Sequence, residues 1–306
     1  MKILLWNLEN FYLKSDKPTD FKTPGKPVEK VLAIEKIIAE HEPEIIACVE
    51  VGKVESLKYF SEQFLNQNYK AYILPGNSDR EIELGFLVKK EFEYECSIYS
   101  HRDRSLNFNY PHEKNLPSHK FSRDVSELRL KKNKKLQMIY LLVHLKSKWD
   151  RDGFDFNGVM RREAEVKALT EIYTQYKNTY PHIPIIIGGD FNGNASLHQT
   201  ESEFTSIYAQ TDLNDALEIC QFPLKERTTF IQFNREGLRQ LLQLDYQFIS
   251  PHLLHHLDKE NTGIIRFKSP DNQSLIPFPE RSFDRAILPS DHYPYLLTLK
   301  CLPLTS

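Results

Sequence analysis

The sequence predicts a layered α/β fold with mixed β-sheets. Short apolar runs with strand character recur along all 306 residues, and segments with helical spacing lie between them. A hairpin over 124–145 lies among the strands, which a purely parallel sheet would not contain. No fixed-period repeat, low-complexity tract or Gly/Ser linker divides the chain, so we expect residues 1–306 to form one domain.

The individual elements are predicted from apolar periodicity. Helices are expected at 27–40, 54–65 and 159–176. Pro27 favours the first position of the first helix, and the hairpin alternates in polarity up to Leu130 before a tip of Lys and Asn. Residues 100–120 show neither period and are expected to form a long loop. Further strands are predicted at 3–6, 44–49, 71–74, 84–88, 94–98, 183–187, 228–232, 244–249 and 295–300.

The composition is that of an ordinary globular protein, with 40% hydrophobic and 27% charged residues. Lys and Arg (40) nearly balance Asp and Glu (42), so a site for a polyanion must be a local patch. No apolar run approaches the roughly 18 residues that span a bilayer. The first residues, MKILLWNLENF, favour a strand over a secretory signal. We therefore expect a cytoplasmic protein with no membrane contact and no protein partner.

The four cysteines are far apart in the chain and show no metal-ligand spacing. They are Cys48, Cys96, Cys220 and Cys301. In a reducing compartment, such residues are expected to be small, buried and apolar.

Polar side chains that a core would not tolerate unpaired follow several predicted strands. They are Asn7 and Glu9 after ILLW, Glu50 after IIACV, His144 after IYLLV, Asp190 and Asn192 after IPIIIGG, and Asp291 and His292 after ILPS. Asp245 opens a further strand, where a buried carboxylate needs a partner. Because strand ends that meet at one edge of a sheet commonly form a site, these residues predict a functional site there.

Six motifs resemble, in the same order, those of the endonuclease/exonuclease/phosphatase superfamily. They are WNLEN, ACVEV, VHLKS, GGDFNGN, LDYQFISP and SDHYP, and the resemblance runs from residue 3 to residue 299. Each alone has a structural interpretation: GDFN is also a common turn sequence, and His144 alone is better explained as a core histidine bonded to the backbone. Together, the resemblance implies a four-layer α/β/β/α sandwich with two mixed β-sheets, and a divalent-metal-dependent phosphoester hydrolase.

The resemblance implies a role for each matched position. Glu50 and Asn7 would hold Mg²⁺ or Mn²⁺, with Glu9 and Asp291 on the metal side, because hard oxygen ligands suit these ions. Phosphoester hydrolysis also needs a water nucleophile and help for the phosphoryl and leaving oxygens. Those tasks fall to Asp190 at the attacking water, Asn192 on a phosphoryl oxygen, His292 with Asp245 as its carboxylate partner, and His144, the second histidine of the deoxyribonuclease branch.

Three cationic side chains are candidates for substrate binding. Arg123 resembles the family's phosphate-contacting position before a strand. Lys146 and Lys148 lie two and four residues past His144, so continued alternation would place all three on one face. A solvated surface charge is the alternative for each.

Two further segments mix charge with aromatic or polar residues. The hairpin tip, with Lys131, Lys132, Lys134 and Lys135, is interpreted as solvated charge or, more specifically, as a contact for a nucleic-acid backbone. The loop over 100–120 suits either base stacking, which we favour, or packing on its own aromatics. The charged and aromatic residues in question are Arg102, Arg104, Phe108, Tyr110, His112 and Lys120 in the loop and Phe121 directly after it.

The sequence therefore predicts a metal-dependent phosphodiesterase that acts on nucleic acid. A phosphomonoesterase, or a lipid or inositol phosphate phosphoesterase, would use the same site and is the competing enzyme class. A binding module whose inherited site has decayed is a third alternative, although every matched position holds a residue type that the chemistry can use.

Overall fold

The structure is a computed structural model that describes residues 1–13, 25–113, 116–150, 153–269, 271 and 274–303. Within these residues, two six-stranded sheets pack face to face and helices cover the outer face of each. The predicted four-layer sandwich is confirmed. Of the predicted loop over 100–120, residues 114 and 115 lie outside the described residues.

Strands and helices are interspersed along the whole chain. The strands are β1 (Lys2–Tyr12), β2 (Ile45–Gly52), β3 (Tyr69–Ile73), β4 (Ile82–Lys89), β5 (Glu95–Ser100), β6 (Val125–Lys132), β7 (Lys135–His144), β8 (Ile185–Asp190), β9 (Asn214–Asp215), β10 (Phe230–Phe233), β11 (Arg239–Leu242), β12 (Asp245–Ile249), β13 (Gly263–Ile264) and β14 (Tyr295–Thr298). The α-helices are α1 (Val28–His41), α2 (Lys53–Gln63), α3 (Val159–Thr179), α4 (Thr205–Gln210) and α5 (Ala216–Ile219). Elements that were not predicted, such as β9, β13 and α5, are too short to show a period.

Both large sheets are mixed, as predicted. The first has the order β13-β14-β1-β2-β4-β3, in which β1 and β2 are parallel and the other pairs antiparallel. The second has the order β5-β6-β7-β8-β12-β9, in which β7 and β8 are the parallel pair. A separate two-stranded ribbon consists of β10 and β11. The parallel pair thus lies in the interior of each sheet.

Alternation along the strands divides the apolar residues among three cores. Leu5 of β1 and Tyr140 of β7 belong to the core between the sheets. Their chain neighbours Trp6 and Leu141 face outward, the first toward α1 and α2 and the second toward α3. Burying both faces of each sheet removes apolar surface from water. Each Å² removed stabilises the fold by about 25 cal/mol, and this burial is the main contribution that holds the layers together.

The two strands that carry the first predicted site residues extend further than predicted. β1 reaches Tyr12 and β2 reaches Gly52, so Asn7, Glu9 and Glu50 lie inside strands rather than after them. Both strands are irregular in this region. The pairing of β1 with β2 shifts register after Asn7, and φ is 48° at Glu9 and 59° at Glu50. Such bulges re-aim side chains, and these two lie next to the predicted site.

The predicted hairpin is formed by β6 and β7. β6 and β7 turn at Asn133 and Lys134, with φ of 52° and 65°, as a tight hairpin of this kind requires.

The cysteines are free thiols; Cys48 is buried, but Cys301 is exposed, so the expectation of burial is wrong there. Among the described residues, no helix has the length and hydropathy of a membrane-spanning segment.

Candidate active site

The predicted polar residues converge at one end of the space between the sheets. The strand register pairs Asp190 of β8 with His144 of β7 on one side and with Asp245 of β12 on the other. All three continue the inward-facing series of their strands, and Asn7 continues the inward series of β1. The apolar core between the sheets therefore ends in a layer of polar side chains.

Glu50 reaches the same layer because β2 is irregular. In a regular strand it would point away from the face that carries Val49, which lies in the core between the sheets. The positive φ at Glu50 and the register shift after Cys48 break that alternation. Glu50 Oε1 consequently lies 3.9 Å from His144 Nε2, and Oε2 accepts the Asn10 N–H at 2.9 Å.

Asp190 is the centre of the hydrogen-bond network. Its Oδ2 accepts the side-chain amide of Asn7 at 3.0 Å, and its Oδ1 accepts the backbone N–H of Asn192 at 2.8 Å. Asn192 donates its own side-chain amide to the Leu145 carbonyl at 3.0 Å. These bonds fix both carboxylate oxygens and orient the loop that follows β8.

His292 and Asp245 form a buried ion pair. His292 Nδ1 lies 2.7 Å from Asp245 Oδ2, and Nε2 lies 3.8 Å from Asp190 Oδ2. Burial opposes the charged imidazole, but the carboxylates of Asp245 and Asp190 outweigh it and raise the pKa of His292 well above its ordinary value. The indole of Trp6 donates to the His292 carbonyl at 2.9 Å and holds its backbone. Asp245 thus favours the charged form of His292 and fixes the orientation of its ring.

Asp190, Asp245 and His292 each offer a ligand atom within 4.8 Å of the others, so their geometry alone would also accommodate a metal ion. His292 Nδ1 is already bonded to Asp245, so this histidine could approach an ion only through Nε2. Burial and the nearby carboxylates of Asp245 and Glu50 raise the pKa of Asp190 to about 7, against the lowering effect of His292.

His144 is the neutral histidine of the site. Burial, then the positive charges of Arg123 and His292, lower its pKa well below the ordinary value. Its Nε2 lies 3.7 Å from Asp190 Oδ2, which for a neutral ring is a polar approach rather than an ion pair. Its Nδ1 is buried and has no hydrogen-bond partner among the described residues. His144 therefore keeps hydrogen-bonding capacity in the site.

Glu9 lies beside the site but is compensated by two lysines. Lys26 Nζ lies 3.4 Å and Lys30 Nζ 3.5 Å from Glu9 Oε2. Lys26 is itself buried, and burial lowers its pKa. The Glu9 N–H donates to Asn7 Oδ1 at 3.0 Å, so the bulge also positions the Asn7 amide.

Glu50 and Asp291 act on each other electrostatically and, among the described residues, neither is paired with a lysine. Burial raises the pKa of Asp291, and Glu9 and Glu50 add to the rise while His292 opposes it. Its nearest guanidinium nitrogen, on Arg285, is 3.8 Å away. Two carboxylates that repel each other beside an amide oxygen, that of Asn7, are a donor set that fits a hard divalent cation such as Mg²⁺ or Mn²⁺.

Comparison of sequences finds no match, either to a family profile or to a curated protein. Comparison of structures finds several. A mannosyl-6-phosphatase of Bacteroides thetaiotaomicron, 18% identical, covers 98% of this chain and 99% of its own (TM-score 0.61). D. rerio TDP2 complexed with single-strand DNA product, 13% identical, covers 97% and 98% (TM-score 0.60). An endonuclease/exonuclease/phosphatase family protein of B. thetaiotaomicron, 17% identical, covers 98% and 94% (TM-score 0.60).

The chain has the endonuclease/exonuclease/phosphatase fold. The predicted fold type is thereby confirmed over nearly the whole chain.

Within the endonuclease/exonuclease/phosphatase fold, two arginines supply positive charge near the acids. The positive charge of Arg123 lowers the pKa of His144. Burial lowers the pKa of Arg123 itself, and the negative charges of Glu165, Glu50 and Asp190 oppose that effect. Arg80, which the sequence did not single out, also lowers the pKa of His144. Arg80 lies in a turn outside every motif, so no sequence signal marks it.

Glu165 of α3 is a second residue that sequence reasoning missed. It is fully buried, and its carboxylate accepts the backbone N–H of Ser122 and of Lys146, each at 2.7 Å. It thereby fastens the segments that carry Arg123 and His144. An acid on the apolar stripe of α3, four residues before Leu169, was the available signal.

The two lysines after His144 are engaged elsewhere. β7 ends at His144, so the alternation expected to align Lys146 and Lys148 with it does not continue. The ammonium of Lys146 donates to the carbonyls of Ser147 and Trp149, and Lys148 pairs with Glu201 at 2.7 Å. A substrate contact for Lys146 stays a prediction that requires its side chain to turn.

The loop over 100–120 packs largely on itself and on α3. Phe121 is buried, so the expectation of base stacking is wrong there. The rings of Phe108 and Tyr110 meet edge to face at 5.0 Å, and the Tyr110 hydroxyl donates to Asp155 at 3.2 Å. Two of its cations are paired within the fold: Arg104 with Glu171 and Lys120 with Asp103.

The hairpin tip is remote from the site. β7 runs for 10 residues from Lys135 at the tip to His144 at the site. At roughly 3.3 Å per residue, this separates them by about 30 Å. Lys132 at the tip is paired with Glu93. The distance and this ion pair favour solvated charge at the tip, and a contact with the backbone of a long polynucleotide stays a prediction.

Proposed function

We propose that this protein is a divalent-metal-dependent phosphodiesterase that hydrolyses nucleic acid. The observation that carries the proposal is the pairing of two half-sites in one polar layer: Asp190 with His292 for proton transfer, and Glu50 with Asp291 for a cation. A neighbour of the same fold, D. rerio TDP2, is complexed with single-strand DNA product, which supports this substrate class.

Asp190 is proposed as the base for the attacking water. A carboxylate with a pKa near neutrality accepts a proton readily at physiological pH, and the amides of Asn7 and Asn192 hold it in one orientation. Asn192, whose side-chain amide already donates to the Leu145 carbonyl, is proposed to donate its second amide hydrogen to a phosphoryl oxygen. Glu50, Asn7 and Asp291, with Glu9 nearby, would hold Mg²⁺ or Mn²⁺, which would supply neutralising charge for the phosphoryl oxygens.

His292, His144 and Arg123 are proposed to stabilise the charge that develops during attack. His292 offers a charged N–H, which Asp245 orients and keeps protonated. His144 offers a neutral hydrogen bond, and Arg123 adds fixed positive charge. Preorganised donors of this kind commonly supply the largest part of catalysis. The free thiols, including exposed Cys301, support a reducing location such as the cytoplasm.

A phosphomonoesterase is the second candidate, because a mannosyl-6-phosphatase shares the fold at the same level of similarity. A substrate panel with Mg²⁺ or Mn²⁺ separates the two: plasmid, RNA, single-stranded oligonucleotide, bis(4-nitrophenyl) phosphate, mannose 6-phosphate and inositol phosphates. We expect turnover of the diesters, lost in His292→Ala. Release of phosphate from monoesters with all diesters untouched would establish the phosphatase instead.

The pH profile of kcat/KM should be bell-shaped. Asp190 works as a carboxylate, so activity falls as the pH drops through its pKa, at or below about 7 because a nearby cation favours the charged form. His292 works as an imidazolium, so activity falls as the pH rises through its elevated pKa. Asp245→Asn removes the charge that raises this pKa and should move the alkaline limb to lower pH. An unmoved alkaline limb would show that His292 is not the acid.

Reversing the charge of the hairpin tip should leave nuclease activity unchanged. The change is Lys131, Lys132, Lys134 and Lys135 to Glu. Charges about 30 Å away are screened at physiological salt, where the Debye length is about 8 Å. Turnover of a long polynucleotide should stay within about twofold of wild type, whereas Arg123→Gln, the matched loss of charge at the site, should lower it. A tip variant as impaired as Arg123→Gln would contradict the proposed substrate path.

A further inference from the structure

A cleft of about 390 Å³ opens beside the proposed active site. Its walls are the segment after β7, the loop after β8 and the ribbon β10–β11. Five of its lining residues carry side-chain amides: Asn157, Asn194, Gln199, Gln232 and Gln240. Side-chain amides both donate and accept hydrogen bonds, so this lining suits a polar ligand that is recognised by hydrogen bonds.

The walls of the cleft adjoin the segments that carry the proposed catalytic residues. Leu244, in its wall, directly precedes Asp245, and its carbonyl accepts the Phe191 N–H next to Asp190 at 2.8 Å. Leu242, also in the wall, pairs with Phe230, whose ring centroid lies 4.8 Å from that of His292. Because the walls adjoin the segments that carry Asp190, Asp245 and His292, a part of the substrate next to the phosphate is the occupant that the position of the cleft favours.

The charge of the cleft excludes a second phosphate. Among its described lining residues, Lys148 and Glu201 are the charged ones, and they pair with each other at 2.7 Å. A polyphosphorylated ligand would bring negative charge to a site with no uncompensated cation, at a large desolvation cost. The substituent that the cleft accepts is thus polar and neutral.

The ribbon presents two amides side by side. Gln232 and Gln240 are directly opposite in the register of β10 and β11, and in the described part of the chain neither forms a side-chain hydrogen bond to another residue. Each carboxamide offers a donor and an acceptor in one plane, which matches the edge of a nucleobase. Leu242 and Leu244 add apolar surface for the flat face of such a ring.

Two exposed aromatic rings stand at the rim. Trp149 is 73% and Phe156 85% exposed, and they are the chain neighbours of the cleft residues Lys148 and Asn157. Large apolar rings in this position suit stacking of a following base, which contributes about 1–3 kcal/mol per base in proteins that bind single strands.

We propose that the amide-lined cleft is a nucleoside subsite that holds the base and sugar on one side of the scissile phosphate. The proposal rests on the proposed phosphodiesterase function and names the part of the substrate that this chain reads. It assigns Gln232 and Gln240 as specificity-determining residues.

The test compares three chromogenic diesters with the same leaving group: bis(4-nitrophenyl) phosphate and the 5′- and 3′-(4-nitrophenyl) phosphates of thymidine. One thymidine ester should be preferred by wild type in kcat/KM. Gln232→Ala/Gln240→Ala should lower turnover of that ester by about tenfold to a hundredfold, as expected for two hydrogen bonds. The same variant should leave bis(4-nitrophenyl) phosphate within about twofold. Gln175→Ala, on the exposed face of α3, is the matched control.

Equilibrium binding of thymidine 5′- and 3′-monophosphate, with mannose 6-phosphate as competitor, separates the two proposals. Failure to hydrolyse any diester would overturn the proposed function. The binding of the two thymidine monophosphates would then test the subsite independently of catalysis. Weaker thymidylate binding by the double variant supports the subsite. Equal binding by wild type and variant, or tighter binding of mannose 6-phosphate that the variant loses, overturns it.

Discussion

His292→Ala and Asp190→Asn should each lower kcat by roughly 10²–10⁴-fold, the range for loss of acid–base or oxyanion help. His292→Ala removes a charged donor that two carboxylates keep protonated. Asp190→Asn keeps the shape of the side chain but replaces the carboxylate by a neutral amide, which cannot accept the proton. The measurement is kcat on bis(4-nitrophenyl) phosphate or an oligonucleotide at saturating metal, together with the Tm of each variant.

The control for this experiment is His255→Ala, which removes an exposed histidine that follows β12 at the end opposite Asp245. Thermal stability should change little in the site variants, because polar groups in active sites are commonly held at a cost in stability. Loss of Tm with retained specific activity would instead identify Asp190 or His292 as structural. Since Asp245 acts through His292, the loss in the double variant of Asp245 and His292 should be much less than additive.

Chelation should abolish turnover, and Mg²⁺ or Mn²⁺ should restore it. The carboxylates at the site repel a phosphate as well as each other, so the phosphoryl group binds only when a cation offsets that charge. Ca²⁺ should support turnover poorly, because its coordination is larger and less regular. The assay is activity after treatment with excess chelator and titration of each metal. Full activity in excess chelator would contradict the mechanism.

Glu50→Gln should raise the metal concentration needed for half-maximal activity while the fold stays intact. Glu55→Gln provides the matched control, since Glu55 is exposed on α2, five residues along the chain. The readout is the metal titration itself, together with Tm measured with and without metal. If the two variants require the same metal concentration as wild type, Glu50 is not a ligand.

The secondary structure that positions the site follows from local sequence. Helices α1, α2 and α3 and the strands that carry Asp190 and Asp245 are long enough to show a period, so their existence was predicted although their ends were not. The ends of β1 and β2 were missed because polar residues at Asn7 and Glu50 resemble strand termination. In the structure, both strands continue past a bulge, which a pattern of apolar residues does not show.

The partners of the site depend on contacts that no local pattern encodes. The sequence placed His144, Asp190 and His292 at strand ends but not beside Arg80, whose turn carries no motif. The role expected of Phe121 was wrong, and the distance of the hairpin tip from the site was not foreseen, for a related reason. Whether a charge or a ring is exposed near the site depends on strand direction and on packing against α3, both of which are properties of the assembled sheets.

By itself, the sequence determined the α/β layering, the order of the strands along the chain and the residue types that meet in the polar layer, because these follow from periodicity and from the cost of burying unpaired polar groups. Only the tertiary structure decided that Glu50 faces His144, that Glu165 fastens two segments around it, and that neutral amides line the neighbouring cleft. Those features arise from a positive φ in one strand and from contacts between residues far apart in sequence, which only the packed sandwich brings together.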